Sequence, residues 1–364
     1  MAAGATGVRV VFFGAHKHPS YVVETCSIPS KDELREGEIL IKILYATICS
    51  IDIEDIDGKR DVKKPCVLGH EGIGEVVHSK RERDPFVPGD RVTFGMSRDC
   101  GECQMCRADM GECCSRSARC GSMGLKEGSG LSGCFATHMV LERGATVALV
   151  PTCVSNAVAC PANCALSTIV HAVSYATSST KLPQSVAIVQ GANLMGLYAC
   201  ALLRESGFRE VYCHDICRER LRLVPRFGGR PVLVESVLEE GCGVAEGVAD
   251  VVMDVCGKWD VVSYALHSLR HRGMYLIVGS THSTGATMDL RTVLRKCITI
   301  RGIQSYKAEH LQKAMDFLSA TANKYPYESL ISSPFPLQEF HSAVVTARTK
   351  RYCRTAIAPR LHSP

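Results

Sequence analysis

From Val8 to about Val150, short apolar and β-branched runs, among them EILIKILYA, EGIGEVV, DRVTFGM, CFATHMVL and ATVALVP, are broken by Gly, Pro and Asp. Runs of that length between turn formers predict strands, so this half reads as a strand-rich barrel or sandwich. After about Pro161 the period changes. CALSTIVHAVSYATSS and MGLYACALLRESG carry helical spacing, while SVAIVQG and EVYCHD are short buried-strand runs. ADVVMDVCG, VVSYALHSLRHRG and MYLIVGS continue as strand, helix and strand. Such alternation predicts a parallel, doubly wound sheet with right-handed crossovers, an α/β fold. It ends near Gln304, and the helix AEHLQKAMDFLSATANK and the strand-like RTAIAP return to the first half. The expected organisation is one unit over residues 1–160 and 305–364, with a second unit over 161–304 inserted in it.

Composition narrows the class. A chain of 364 residues is long for one core, and 46% apolar with 22% charged residues describes an ordinary globular protein. The net charge of +5 is carried by no long basic run and aromatics are 6%, so no nucleic-acid partner is expected. VRVVFFGA holds Arg9 and suits a first strand better than a secretory signal. The most apolar window, Val186 to Leu203, contains Gln190, Gly191, Asn193 and Gly196, and reads as strand, glycine turn and helix, not as a membrane span. Twenty cysteines in a long chain with core-sized apolar content point to a reducing cytoplasm. There, clustered cysteines suggest metal, while Cys200, Cys213, Cys242, Cys297 and Cys353 read as small buried hydrophobes.

One cluster is compact. CGECQMCRADMGECC over residues 100–114 spaces Cys100, Cys103, Cys106 and Cys114 so that four thiolates can close a tetrahedral shell around a structural zinc. Cys113 adjoins the last of them and fits the spacing less well. A second set of donors is dispersed: Cys49 in ICSIDIED, then His70 and Glu71 in LGHEGIG.

The Cys-x-x-Asp corner, the Gly-His-Glu segment, the four-cysteine lobe, the PGDRV turn and a later glycine-rich turn follow one another in a known order. Over nearly its whole length the chain resembles the medium-chain zinc-dependent alcohol dehydrogenases, with a looser similarity to those associated with phosphonate breakdown. The resemblance implies a Rossmann dinucleotide-binding sheet inserted in a β-rich, GroES-like catalytic domain. It implies a catalytic zinc on Cys49, His70 and a cysteine of CPANCALSTIVHA, Cys164 in preference to Cys160, with Glu71 as an occasional ligand. Asp52 would accept the far ring N–H of His70. Such a centre moves hydride between NAD(H) and a small alcohol or carbonyl substrate in the cleft between the domains, in a homodimer or homotetramer.

The cofactor turn is legible on its own residues. SVAIVQGANLMGLYACALL leaves a strand and opens a helix, with Gly191, Asn193 and Gly196 at the three positions of G-x-G-x-x-G. Helix N–H groups over Asn193, Leu194, Met195 and Gly196 would meet the pyrophosphate. Asn193 departs from glycine, and its tolerance of positive φ is expected to preserve the turn. Asp215 ends the next strand where an acid receives the ribose hydroxyls, which favours NAD over NADP, with Arg218 and Arg220 nearby.

A second departure lies in ICSIDIED. Alcohol-oxidising relatives carry Ser or Thr two residues after the first ligand to pass the proton outward; here it is Ile51, flanked by Ser50, with Glu54 where a relaying His is common. Ser50, Glu54 or water would take the proton. Otherwise the chain reduces an activated C=C or iminium bond, or it is a zinc-stabilised NAD-binding sensor without turnover.

Overall fold

The computed structural model describes residues 5–82, 85–179, 185–234, 246–279 and 287–359. The chain divides into two compact units. One comprises Met1–Cys164, Lys307–Ala322 and Tyr327–Pro364, the other Ala165–Tyr306 and Asn323–Pro326.

The first unit is built on the strand Ile39–Ile48. It pairs antiparallel with Glu71–Ser79, His138–Leu141 and the C-terminal strand Thr355–Ala358. Ile39, Ile41 and Ile43 face one apolar cluster with Phe94, Phe135 and Ile357, while Leu40 faces another with Val67, Leu131 and Val140. Both faces of the strand are therefore buried, which is why EILIKILYA reads as a nearly continuous apolar run. The strand's far end delivers Cys49. Its neighbour Thr355–Ala358 brings the preceding Arg354 to that same end, since Thr355 pairs with Ile48.

The second unit carries a parallel sheet in the order Arg230–Leu233, Glu210–Asp215, Val186–Gln190, Ala249–Asp254, Leu269–Ile277, Thr299–Gly302. The order reverses direction beside Val186–Gln190, the place where doubly wound sheets receive nucleotides. The apolar window from Val186 resolves as this strand and the helix Leu194–Glu205. Among the described residues no single helix is long and apolar enough to cross a membrane.

Two sequence expectations change. VVSYALHSLRHRG is not one helix: the helix spans Val261–Ser268, and a strand starts at once over Leu269–Ile277. Lys296 explains the early stop, because its buried Nζ donates to the carbonyls of Leu266, His267 and Leu269 at 3.2, 2.7 and 2.8 Å. A cation on the final carbonyls satisfies the helix end and complements its dipole. Cys200 and Cys213 are buried as expected, but Cys297 is exposed and Cys353 half-buried, and Cys242 lies outside the described residues.

His214 sits on the strand Glu210–Asp215, buried against Tyr264 with ring centroids 5.4 Å apart, and neither ring nitrogen has a hydrogen-bond partner among the described residues. Burial pulls its pKa down to about 4. A depressed histidine contributes stability above its unfolded pKa near 6.5, lost as pH falls through 4, a difference of about 3 kcal/mol.

Two measurements follow from these groups. Lys296→Met is expected to lower unfolding stability in urea by about 2–3 kcal/mol, the scale of losing charge-assisted hydrogen bonds. His214→Phe is expected to flatten the fall of the urea midpoint between pH 7 and pH 4 relative to wild type. An equal acid sensitivity would show that the ring is not held neutral.

Candidate metal centre and cofactor turn

The strand Ile39–Ile48 ends at Cys49, whose N–H donates to Asp52 Oδ2 at 2.8 Å. That bond satisfies a backbone donor left over at the start of the helix Ser50–Ile56 and fixes the corner. The other oxygen of Asp52 lies 3.0 Å from His70 Nδ1, and both side chains are fully buried. With the proton held on Nδ1, the Nε2 lone pair is turned away from Asp52. His70 Nε2 is buried and has no hydrogen-bond partner among the described residues.

Around that nitrogen the fold gathers donors. Cys49, His70, Glu71 and Cys164 each present an atom within 4.8 Å of the others. Cys164 follows the tight turn Cys160–Asn163, which Asn163 pins by donating to the carbonyls of His70 and Phe94 at 2.8 and 2.7 Å. Cys160, the other cysteine of that segment, lies 3.5 Å from Thr47 Oγ1 and is not in the cluster.

The electrostatics of the cluster leave room for a cation. Cys164 hydrogen-bonds Cys49 and, with the charge of Arg354, holds the Cys49 thiol well below its usual range despite burial. The same bond and burial push Cys164 well above it. Burial would lower His70, but the Asp52 carboxylate and the Cys49 thiolate outweigh this and raise it to about 10. Burial lifts Glu71 to about 7 against the opposing charge of Arg354. Two thiols and a carboxyl are thus crowded together beside the His70 ring and the Arg354 guanidinium. A divalent ion would relieve that crowding, and two sulfurs with one imidazole are a donor set zinc accepts.

Arg354, Thr47 and Asn163 were not singled out in the sequence. Arg354 Nε and Nη2 donate to the two oxygens of Glu71 at 2.7 and 2.8 Å, and Nη2 lies 3.5 Å from Cys49 Sγ. Thr47 donates to Glu71 at 2.6 Å. The only signal for Arg354 was its place at the start of the returning strand RTAIAP. Ser50 is exposed, with its hydroxyl 3.9 Å from Cys49 Sγ, Ile51 is half-buried, and Glu54 lies 3.8 Å from Arg60.

The four-cysteine loop closes on itself. Sulfur separations are 3.9 Å for Cys100–Cys106, 3.5 Å for Cys103–Cys106 and 3.9 Å for Cys103–Cys114. The N–H groups of Cys100 and Cys103 point at sulfurs of Cys114 and Cys100, each at 3.3 Å. Hydrogen bonds, the first from the backbone at Cys106, draw the Cys103 thiol down to about 6, towards the thiolate a metal requires. Cys113 is exposed and outside the group.

In the second unit Gly191 takes φ +110°, and a Cβ on Gly196 would stand 1.8 Å from the Gly191 carbonyl oxygen, so both glycines are required by the turn. Asn193 does not use positive φ. It sits at φ −81° as the helix N-cap, accepting from Gly196 N–H at 3.1 Å and donating to the Val255 carbonyl at 2.9 Å. Its side chain is thereby drawn into capping. Leu194 and Met195 form the first turn of that helix. Asp215 accepts from the N–H of Ala192 at 2.7 Å, from Cys217 N–H at 2.8 Å and from Arg220 at 2.5 Å.

Residues 35–152 match the alcohol dehydrogenase GroES-like domain, and residues 195–320 match the zinc-binding dehydrogenase family. The chain belongs to the medium-chain zinc-dependent alcohol dehydrogenases. An L-threonine 3-dehydrogenase of Streptomyces avermitilis is 29% identical over 79% of this chain and 82% of its own. An alcohol dehydrogenase of Thermotoga maritima superposes with a TM-score of 0.88 at 24% identity, over 98% of this chain and 100% of its own. An L-idonate 5-dehydrogenase of Escherichia coli does so at 0.81 and 22%, over 97% and 98%. The fold is the GroES-like and Rossmann α/β fold of that family. The chain is a zinc-dependent, nicotinamide-linked oxidoreductase that moves hydride to or from a small molecule. The relatives favour this over a C=C or iminium reductase and over a sensor without turnover.

The two donor groups predict separable metal losses. Cys164→Ser is expected to remove one zinc per chain and abolish turnover while the lobe keeps its own, whereas Cys103→Ser removes the lobe zinc and lowers thermal stability. Elemental analysis beside a melting curve checks both.

Proposed function

We propose that Cys49, His70 and Cys164 hold the zinc at which a small alcohol or its carbonyl partner reacts with NAD(H), and that Cys100, Cys103, Cys106 and Cys114 hold a structural zinc. The buried, unpartnered Nε2 of His70 amid the thiols of Cys49 and Cys164 carries this reading. Bound zinc supplies Lewis acidity, polarising a carbonyl oxygen or acidifying an alcohol. The chain's own groups do the positioning. Asp52 orients His70, Asn163 fixes the approach to Cys164, and Arg354 with Thr47 holds Glu71 beside the centre.

The substrate we favour is a small polar molecule with a secondary hydroxyl, since a relative of similar length is an L-threonine 3-dehydrogenase. Ile51 carries no proton, and the exposed Ser50 at the same helix start leaves solvent as the proton's destination. NAD is preferred over NADP because the Asp215 carboxylate disfavours a 2′-phosphate, and Arg220 directs its charge to Asp215. The described cysteines are free thiols, which suits the cytoplasm. Assembly as a homodimer or homotetramer is supported by the outer strand Thr299–Gly302 and by Leu290 and Leu294, exposed one turn apart on the helix Leu290–Lys296.

A panel of secondary alcohols including L-threonine, their ketones and conjugated enals, run with NAD(H) and NADP(H), tests the reading. Oxidation of a secondary alcohol with NAD at least about tenfold more efficient than with NADP is expected, a difference of ~1.4 kcal/mol. Turnover of enals alone, or equal use of NADPH, would overturn it.

A further inference from the structure

The four-cysteine lobe and the dispersed donor cluster belong to one compact unit, and one segment joins them. The short strands Ser97–Arg98 and Ala118–Arg119 pair antiparallel and close the base of the loop that carries Cys100, Cys103, Cys106 and Cys114. From that base Arg119 reaches Asp55, its Nη2 lying 2.5 Å from Asp55 Oδ2. Asp55 is fully buried on the helix Ser50–Ile56, one turn beyond Asp52. That helix begins at Cys49, and its Asp52 grips both Cys49 N–H and His70 Nδ1.

The same segment touches the site a second time. Gly121 lies so close to the loop before His70 that a Cβ there would stand 2.7 Å from Gly69 N and 2.9 Å from Gly69 O. Cys120 N–H donates to Met96 O at 3.0 Å and Gly121 N–H to Ser132 O at 2.9 Å, so the segment is held on both sides. The run Arg119–Gly121 therefore leaves the lobe and braces both the helix that starts at Cys49 and the loop that presents His70.

A buried carboxylate is tolerated only when paired, so Asp55 fixes the guanidinium as firmly as the guanidinium fixes Asp55. Arg60 contributes a weaker partner, its Nε 3.5 Å from Asp55 Oδ1 and its side chain more exposed than that of Arg119. Arg119 Nη1 is buried without a hydrogen-bond partner among the described residues, so the hold on this side of the guanidinium falls to the bond with Asp55.

We propose that Arg119 is a positioning residue: through Asp55 it makes the geometry of the Cys49–His70–Cys164 centre depend on an ordered four-cysteine lobe. This rests on the reading of that centre as a zinc site. The lobe then acts beyond its own stability. Loss of order in it frees the Asp55 end of the helix that follows Cys49 and weakens metal retention at a site to which it contributes no ligand.

Zinc release from the full-length holoenzyme to a chromophoric chelator tests this, with the Cys49-site phase assigned as the one missing in Cys164→Ser and the lobe phase as the one that remains there. In Arg119→Leu the phase from the Cys49 site is expected to quicken several-fold, less than the roughly 10- to 100-fold effect of losing a partner that bonds a ligand directly, with the lobe phase unchanged. Arg119→Lys should recover part of the change. Should Arg119→Leu fail to fold, Arg119→Leu/Asp55→Leu decides, because it leaves no unpaired buried carboxylate and still lacks the tether. Cobalt substitution gives a second readout: the visible d–d bands of the Cys49 site should shift in the variants. Unchanged release and unchanged bands overturn the proposal, as does a rise in KM alone, which would make Arg119 a substrate contact. If wild-type protein holds no metal at the Cys49 site, it is the underlying zinc reading that fails.

Discussion

The Asp52 carboxylate is the hinge of the site. One oxygen takes the N–H of Cys49 and the other faces Nδ1 of His70, so one buried group sets the helix corner that aims a thiol and the tautomer that aims an imidazole. Neither donor is adjacent to the other in the chain; they become neighbours because Thr47 and Glu71 pair across the strands Ile39–Ile48 and Glu71–Ser79. Register is the deeper constraint. A one-residue slip would turn each side chain on one strand to the opposite face and carry Cys49 away from His70.

Charge balance then decides which further residues the site needs. Glu71 is fully buried, and a carboxylate there persists only with strong donors, which Arg354 and Thr47 supply. Arg354 comes from the far end of the chain, carried in because Thr355 pairs with Ile48. The C-terminal strand therefore completes the sheet and also places the main cation of the cluster. Without it Cys49 and Glu71 would lose a charge that opposes their protonation, and proton-bearing thiols are poor metal ligands.

What the sequence makes legible follows from how local each device is. The lobe cysteines lie in one short loop and the glycine turn in a single strand-to-helix connection, so spacing alone reveals both. The Cys49 centre draws on three separated segments and was visible only through its resemblance to a family. Arg354, Thr47, Asn163 and Arg119 are single polar residues whose partners arrive through tertiary pairing, and nothing local marks them. The same holds for the helix end at Ser268, imposed by Lys296 from another element. Asn193 shows the reverse error: a residue expected to supply unusual backbone freedom uses an ordinary backbone and supplies a cap.

Ile51 can be placed within this logic. The residues that orient the ligands act through the backbone N–H of Cys49, the two oxygens of Asp52, the Arg354–Glu71 pair and the Asn163 amide. None of these bonds involves the side chain at position 51. A hydroxyl there would add a proton path while contributing nothing to the arrangement of donors, so its replacement by a half-buried aliphatic side chain leaves the metal-binding geometry untouched. Ile51 instead adds apolar surface within the first turn of a helix whose start is fixed by Asp52 and whose far end is held by the Arg119–Asp55 pair. The arrangement of donors thus rests on atoms other than the side chain at position 51, which is why that side chain can change while the donors stay in place.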